Sequence, residues 1–152
     1  MDAPAGGPQS RQGGNAHQPC GGIVVGADDQ TLRRPHQRAG QDALQILPTL
    51  HIKRLFIVAD PFFYENGTAN HIAHISKAEH TEVFAKGVPD PSVALVADGT
   101  QIAQAFKPDT ILALGGGSAM DCAKAMLFFS GVEATLVAIP TTSGSGSEVT
   151  DF

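Results

Sequence analysis

The sequence lacks the features that mark secreted, membrane-spanning and nucleic-acid-binding proteins. It has two cysteines, Cys20 and Cys122, without a CxxC spacing or a disulfide framework, so a reducing compartment is the default expectation. No window reaches the roughly 18 apolar residues of a membrane span, and the N-terminus has no signal-peptide pattern. The 10 basic and 15 acidic residues give a net charge of -5, with no long cationic run. We therefore expect a soluble, cytoplasmic protein that binds neither a membrane nor nucleic acid.

The first 43 residues have a different composition from the rest of the chain. Residues 1–40 contain 8 of the 17 glycines and 4 of the 10 prolines, and only residues 21–26 (GGIVVG) look like a strand. Such a segment buries too little apolar surface to offset the entropy lost on ordering. The sequence therefore predicts a poorly ordered or non-homologous segment over residues 1–43 and one α/β domain over residues 44–152.

Apolar runs alternate with helical patterns from residue 42 onward. Strands are predicted over residues 54–59, 81–85, 110–114 and 134–139, and helices over residues 42–47, 62–78, from 91 onward, and 118–129. The third of these helices is predicted to begin at Pro91 with Asp90 as its N-cap. Strands that are apolar on both faces and alternate with crossover helices indicate a parallel sheet with helices on both faces.

Three glycines, Gly115, Gly116 and Gly117, separate the third predicted strand from the helix that follows it. Without side chains at these positions, an anion can approach the free backbone N–H groups and the positive end of the helix. Ser118 and Asp121 fit the S-x-x-D form of a capping box, which predicts where the helix begins. Taken alone, the cluster is equally consistent with a tight strand-to-helix turn.

A second glycine-rich stretch, residues 139–148 (IPTTSGSGSE), follows the fourth predicted strand. Its hydroxyl groups and bare amides suit phosphate or ribose oxygens. The hydroxyl groups belong to Thr141, Thr142, Ser143, Ser145 and Ser147. Because ligands of parallel α/β sheets bind beyond the carboxyl ends of the strands, the two loops would face each other across a cleft. The pair favours a phosphate-bearing ligand over two unrelated turns.

The run GGGSAMDCAKA, followed by AIPTTSGSGSEVT, resembles the iron-containing (group III) alcohol dehydrogenases. The short spacing between these motifs is similar to that of the propanol dehydrogenases of propanediol-utilisation microcompartments. VADPFF and GVPDPS also match, so the resemblance covers residues 44–150. It implies a Rossmann-like domain that binds NAD, followed by a helical domain whose Asp and His side chains hold Fe2+ or another divalent metal that polarises the alcohol oxygen.

The resemblance also implies cofactor-binding roles for individual residues. Those facing the pyrophosphate are Gly116, Gly117 and Ser118, which follow Gly115 in the same cofactor-binding turn, and those on the nicotinamide side are Asp121, Thr141, Thr142 and Ser145. Asp60 takes the acidic position that contacts the adenosine ribose, where a negative charge repels a 2'-phosphate and favours NAD over NADP. For Asp90, a place near the adenine and the role of helix N-cap stay equally open.

Several parts of the family pattern are missing from these 152 residues. Because the sequence stops directly after the second motif, we expect a fragment without the metal-binding domain, without catalytic residues or metal ligands, and without turnover of its own. His71, His74 and His80 have a spacing that could hold a metal, but surface histidines without a ligand role are the favoured interpretation. Residues 1–43 show none of the family's opening strands.

The leading interpretation is an NAD-dependent oxidoreductase that interconverts short-chain alcohols and aldehydes by hydride transfer. Its partners would be a small alcohol or aldehyde, with homo-oligomer or microcompartment association as further expectations. Two alternatives stay open. One is a non-catalytic remnant that pairs with full-length relatives, and the other is an enzyme similar to glycerol dehydrogenase or dehydroquinate synthase, although PTTSGSGSEVT favours the alcohol dehydrogenase branch.

Overall fold

The computed structural model describes residues 23–26, 37–39, 41–86 and 91–141. The strands are β1 (Ile23–Gly26), β2 (Gln37–Ala39), β3 (Arg54–Ala59), β4 (His80–Phe84), β5 (Thr110–Gly115) and β6 (Thr135–Pro140). The helices are α1 (Gln41–Ile46), α2 (Pro61–Glu65), α3 (Thr68–Ser76), α4 (Val93–Phe106) and α5 (Gly117–Ser130), with a 3-10 helix at Leu47–Leu50. The strands form one sheet in the order β2-β1-β6-β5-β3-β4. Every pairing among these strands is parallel.

The centre of the sheet is buried on both faces. Strand β3 carries Leu55, Phe56 and Ile57, all fully buried, and every residue of β5 is buried. Branched and aromatic side chains pack well on a pleated surface, which is why these two apolar runs form strands and not helices. The predicted strands at 54–59, 110–114 and 134–139 are confirmed to within one residue, and the strand predicted at 81–85 begins and ends one residue earlier.

Two separate apolar clusters cover the two faces of the sheet. On one face, Leu55 and Ile57 pack with Leu47 of the 3-10 helix and Ile72 of α3. On the other face, Phe56, Ile111 and Ala113 pack with Ala103 of α4 and Met126 of α5. This confirms the predicted α/β class, a Rossmann-like parallel sheet with helices on both faces.

The single helix predicted over residues 62–78 is wrong, because the structure has two helices there. Helix α2 ends at Glu65, and Gly67 adopts φ 82°, a left-handed conformation that stops one helix before α3 begins. Glycine takes up this conformation without the steric penalty that a Cβ brings. The sequence signal at Gly67 therefore marks a chain turn and not a weakened helix.

Two predicted helix starts also differ from the structure. Helix α4 begins at Val93 and not at Pro91, and its N-cap is Ser92, whose hydroxyl accepts the Leu95 N–H at 3.3 Å. Asp90 itself lies outside the described residues. Helix α5 begins at Gly117 with Gly116 as N-cap and without a capping hydrogen bond from a side chain, so the predicted capping box is wrong. Its first position lies one residue before Ser118, which leaves the serine inside the first turn.

The segment before residue 44 contributes two strands that the sequence did not predict as part of the domain. Strand β1 pairs with β2 on one side and with β6 on the other, where Ile23 lies opposite Val137. The strand-like run at residues 21–26 contains β1, and both β1 and β2 lie before the predicted domain start at residue 44. Strands of this length are held by backbone hydrogen bonds to a neighbour and need no long apolar run.

Asp109 and Arg54 tie the strands together at the amino edge of the sheet. The Asp109 carboxylate accepts the backbone N–H groups of Lys53 at 3.0 Å and of Arg54 at 3.2 Å. The Arg54 guanidinium donates to the Phe106 carbonyl at 2.7 Å and lies 4.5 Å from the centre of the Phe106 ring. Charge-assisted bonds of this kind fix the end of α4 to the starts of β3 and β5.

Candidate functional site at the carboxyl rim

Three neighbouring strands end together at the carboxyl edge of the sheet. Asp60 follows β3, Gly115 ends β5, and Thr141 follows β6. The Asp60 N–H donates to the Leu114 carbonyl at 3.1 Å, and the Thr141 N–H donates to the Gly115 carbonyl at 2.9 Å. Backbone hydrogen bonds therefore join the three strand ends into one continuous border. We call the border formed by Asp60, Gly115–Gly117 and Thr141 the carboxyl rim.

Gly115 is tightly packed within the rim. Its φ is 149°, which L side chains rarely adopt, and a Cβ placed on it would lie 2.9 Å from Ala119 Cβ. The same Cβ would lie 3.4 Å from Asp60 Cβ. A side chain at this position would push apart the end of β3 and the start of α5, so the turn requires glycine.

The first turn of α5 opens directly from this glycine turn. The N–H groups of Ala119 and Met120 both donate to the Gly116 carbonyl, at 3.1 and 3.2 Å. The N–H groups of Gly117 and Ser118 come before the first bond inside the helix, so they are among the donors that a helix leaves for other partners. Aligned peptide dipoles give the start of this 14-residue helix a partial positive charge. Free donors and a positive helix end together suit an anionic oxygen.

Asp60 places a carboxylate beside the glycine turn. It is exposed and caps α2, because its Oδ1 accepts the Phe62 N–H at 2.9 Å. In the described part of the chain this is the one hydrogen bond of the carboxylate, so Oδ2 has room to accept a ligand hydroxyl. A carboxylate accepts hydroxyl donors and repels phosphate, so this side of the rim suits a sugar and disfavours a further phosphate.

Most of the residues predicted to bind a cofactor come together at the rim. Asp60, the glycine turn, Ser118 and Thr141 lie at adjoining strand ends, and the exposed Asp121 lies one turn further along α5. Three predicted residues, Asp90, Thr142 and Ser145, lie outside the described residues. Sequence reasoning did not single out Phe62, an exposed aromatic residue two positions after Asp60. The available signal was the pair of phenylalanines that directly follows the Asp-Pro turn at a strand end.

Cys122 lies in α5 close to the rim, but its thiol is unreactive. The residue is buried, with 2% exposure, and burial raises the pKa of its thiol from the usual 9.0 to about 11. Since the thiolate is the reactive form, the side chain stays protonated at neutral pH. Cys122 therefore acts as a small apolar core residue and not as a nucleophile.

The described residues do not provide a site for the divalent metal that the family resemblance implies. Within residues 41–86 and 91–141, no three His, Cys, Asp or Glu side chains are grouped so that they could hold a metal ion. Metal sites in proteins use three or more such ligands converging on one point. The spacing of His71, His74 and His80 therefore does not become a metal site in the structure.

None of the described helices combines the length and the apolar character that crossing a membrane requires.

The sheet and its rim define the chain as a Rossmann-like α/β domain with a glycine turn opening a helix at the carboxyl edge. Residues 35–152 match the family model described as iron-containing alcohol dehydrogenase. The chain belongs to the iron-containing alcohol dehydrogenase family, as the two motifs predicted.

Individual relatives show how far this similarity extends. The 1-propanol dehydrogenase PduQ of Citrobacter freundii is 40% identical over 117 residues, which cover 74% of this chain and 32% of PduQ. The bifunctional aldehyde-alcohol dehydrogenase AdhE of Escherichia coli (strain K12) is 40% identical over 129 residues, covering 66% of this chain and 14% of AdhE. The chain therefore spans less than a third of the curated relatives that it matches here.

A solved structure shows the same fold. Sulfoacetaldehyde reductase from Bifidobacterium kashiwanohense, in complex with NAD+, superposes with a TM-score of 0.67 and 24% sequence identity. The match covers 86% of this chain and 37% of that chain. At this identity the superposition demonstrates a common fold for the sheet and its helices.

Proposed function

We propose that this chain supplies the NAD-binding part of an alcohol dehydrogenase that interconverts short-chain alcohols and aldehydes. The observation that carries the proposal is the carboxyl rim, where Gly115 lies between Asp60, at the end of β3, and Ala119, in the first turn of α5. Family membership supports the reaction class, and the similarity to the 1-propanol dehydrogenase PduQ supports a short-chain substrate. The NAD+ complex of a protein with the same fold supports the choice of cofactor.

Different residues of the rim would bind different parts of the cofactor. The N–H groups of Gly117 and Ser118, beside Gly116 and behind the turn formed by Gly115, would bind the pyrophosphate. The Asp60 Oδ2 atom would accept a ribose hydroxyl and repel a 2'-phosphate, which selects NAD over NADP. The remaining proposed contacts are Asp90 near the adenine and Asp121, Thr141, Thr142 and Ser145 on the nicotinamide side. When bound, NAD supplies the chemistry of hydride transfer with the alcohol carbon.

We propose that these 152 residues bind the cofactor but do not turn over alcohol alone. The match covers 32% of PduQ, so residues outside this match would complete the reaction site. The described residues do not provide the ligands for the divalent metal of the family. Purified chain supplied with NAD, propanol and Fe2+ should produce no NADH above a protein-free control, and measurable turnover would contradict this part of the proposal.

The proposal includes a location and partners that the resemblance implies. We propose a cytoplasmic protein that forms homo-oligomers or associates with a microcompartment of the propanediol-utilisation type. Sedimentation of the purified chain reports the oligomer, and a fluorescent fusion expressed together with such compartments reports their association. A monomer at all concentrations, with the fusion spread evenly through the cell, would contradict both statements.

Calorimetric titration with NADH tests the cofactor proposal directly. Gly116 has φ -84° and ψ -165°, so Gly116→Val adds a side chain at the rim without requiring a left-handed backbone. We expect saturable NADH binding to the unaltered chain and loss of that binding in Gly116→Val. Ala105→Val, on the exposed surface of α4, is the matched control and should bind as the unaltered chain does. A folded chain, shown by circular dichroism, that binds no NADH would overturn the proposed function.

A further inference from the structure

Phe62 is a large apolar side chain that lies at the carboxyl edge of the sheet, where the site is. It follows Asp60 by two positions in α2, and 62% of its surface is exposed. Burying an aromatic ring is one of the larger sources of stabilisation in a protein. An exposed ring next to the carboxyl rim is therefore available for contact with a ligand. Its neighbour Phe63 is half-buried and packs against the apolar cluster on the α3 face of the sheet.

The Phe62 ring packs against the ring of Phe63, and the Phe62 backbone is bonded to Asp60. The two phenylalanine rings meet edge to face, with centroids 5.3 Å apart and planes at 80°. The Phe62 backbone N–H is anchored to the Asp60 Oδ1 atom at 2.9 Å. Asp60 is in turn fixed to β5 by its own N–H bond to Leu114. The backbone that carries the exposed ring is therefore fixed to the carboxylate and to the end of β5, and the ring itself packs against Phe63.

In a dinucleotide, a ribose separates each base from the pyrophosphate. If the pyrophosphate lies on the glycine turn and a ribose hydroxyl on Asp60, the base beyond that ribose lies past Asp60, on the side of α2. We propose that Phe62 is the stacking surface for the adenine of the cofactor, an inference that rests on the function proposed above. Every base has a π-face, and stacking on an aromatic side chain is a sequence-tolerant source of affinity. Adenine offers a larger face for this contact than nicotinamide does.

The chain contains a matched control for this aromatic residue. Phe129, near the end of α5, is 64% exposed and meets Phe128 edge to face, with centroids 5.2 Å apart and planes at 83°. Helix α5 begins at the rim, so Phe129 lies at the far end of the helix from it. Phe129→Ala removes the same side chain from the same kind of pair, away from the site.

The test measures the affinity of the full chain for NADH, ADP-ribose and nicotinamide mononucleotide by calorimetry. We expect Phe62→Ala to weaken NADH and ADP-ribose binding about tenfold, in line with the energy of one base stack. Nicotinamide mononucleotide binding should not change in Phe62→Ala. Phe62→Tyr, which keeps an aromatic face, should retain the affinity for ADP-ribose, and Phe129→Ala should bind all three as the unaltered chain does.

The outcomes separate this inference from the proposed function. Unchanged ADP-ribose affinity in a folded Phe62→Ala chain that still binds NADH would overturn the stacking role and leave the cofactor proposal standing. Equal losses for ADP-ribose and nicotinamide mononucleotide, or loss of affinity in Phe62→Tyr, would overturn the adenine assignment. Failure of the folded, unaltered chain to bind NADH would overturn the proposed function and this inference together.

Discussion

Gly99 in α4 lies directly against the thioether of Met126 in α5. A Cβ on Gly99 would come 2.5 Å from Met126 Sδ and closer still to its terminal methyl group, and Met126 is fully buried. The two helices therefore approach each other closely over the sheet face formed by Phe56 and Ile111. Because α5 begins at the carboxyl rim, this contact helps to set the position of the helix start.

Gly99→Ala should destabilise the chain despite the better helix propensity of alanine. The added methyl group must displace the sulfur and terminal methyl group of the buried Met126 side chain, and overpacking of this kind costs about 1–3 kcal/mol. Met126→Ala alone should lower the free energy of unfolding by about 2–5 kcal/mol, because it leaves a cavity in the core. Urea unfolding of both single variants and the double variant measures their coupling. The double variant should lose less free energy of unfolding than the sum of the two single losses. Strict additivity would show that the two positions do not share this space.

Gly115→Ala should affect both stability and NADH binding. It combines an unfavourable φ with a contact of 2.9 Å to Ala119 Cβ, so we expect a loss of about 2–3 kcal/mol in the free energy of unfolding and weaker NADH binding. Gly67→Ala is the control, because Gly67 also has a positive φ but open space around it. The free energy of unfolding of Gly67→Ala should fall by about 1 kcal/mol, and this variant should bind NADH as the unaltered chain does. Equal effects of the two variants on binding would remove Gly115 from the site.

Asp60→Asn separates the charge of Asp60 from its role as a helix cap. Asparagine caps helices about as well as aspartate, so the free energy of unfolding should change by less than about 0.5 kcal/mol. The loss of the negative charge should raise the affinity for NADPH relative to NADH about tenfold, the size expected for one charge near a phosphate. Glu65→Gln removes a charge from the same helix and should leave this ratio unchanged. An unaltered ratio in Asp60→Asn would refute cofactor selection by this carboxylate.

Burial of Cys122 should make the chain less stable at high pH. The pKa of its thiol is raised from 9.0 to about 11 in the folded chain, so the unfolded chain releases this proton first as the pH rises. The contribution of the Cys122 thiol to the free energy of unfolding is therefore constant below pH 9.0. It is lost between pH 9.0 and about 11, by roughly 2–3 kcal/mol in total. Urea unfolding at pH 7, 9 and 10.5 should show a steeper decline for the unaltered chain than for Cys122→Ala. Parallel declines would contradict this account.

The central strands could be predicted because their sequences leave few alternatives. Residues 54–59 and 110–115 are apolar at almost every position, which fits a strand covered on both faces and too short for a buried helix. The glycine turn was predicted at the carboxyl edge because ligands of parallel sheets bind beyond the strand ends, whereas the role of Asp60 came from the family resemblance. For these elements, local pattern and tertiary environment agree.

The errors arose where several local signals competed or where pairing decided the structure. Both Asp90 and Ser92 are good N-caps, and the backbone begins the helix after Ser92. Ser118 and Asp121 match a capping pattern, but the glycine turn places the N-cap at Gly116, two residues earlier. Residues 37–39 (QRA) have no strand pattern, and β2 exists only through its pairing with β1. Backbone pairing of this kind leaves almost no trace in composition.

The place of β1 in the sheet sets an order for assembly on the ribosome. Strands β3, β4 and β5 are neighbours in the sheet and close in the chain, so they can associate while synthesis is still under way. Strand β1 is made first, yet one of its two neighbours is β6, the last of the described strands. Closing so long a loop is entropically slow, so the pairing of β1 with β6 forms only after residues 135–140 have been translated. Of the described strands, the first to be made therefore pairs fully only with the last, and until then its edge is open to other chains.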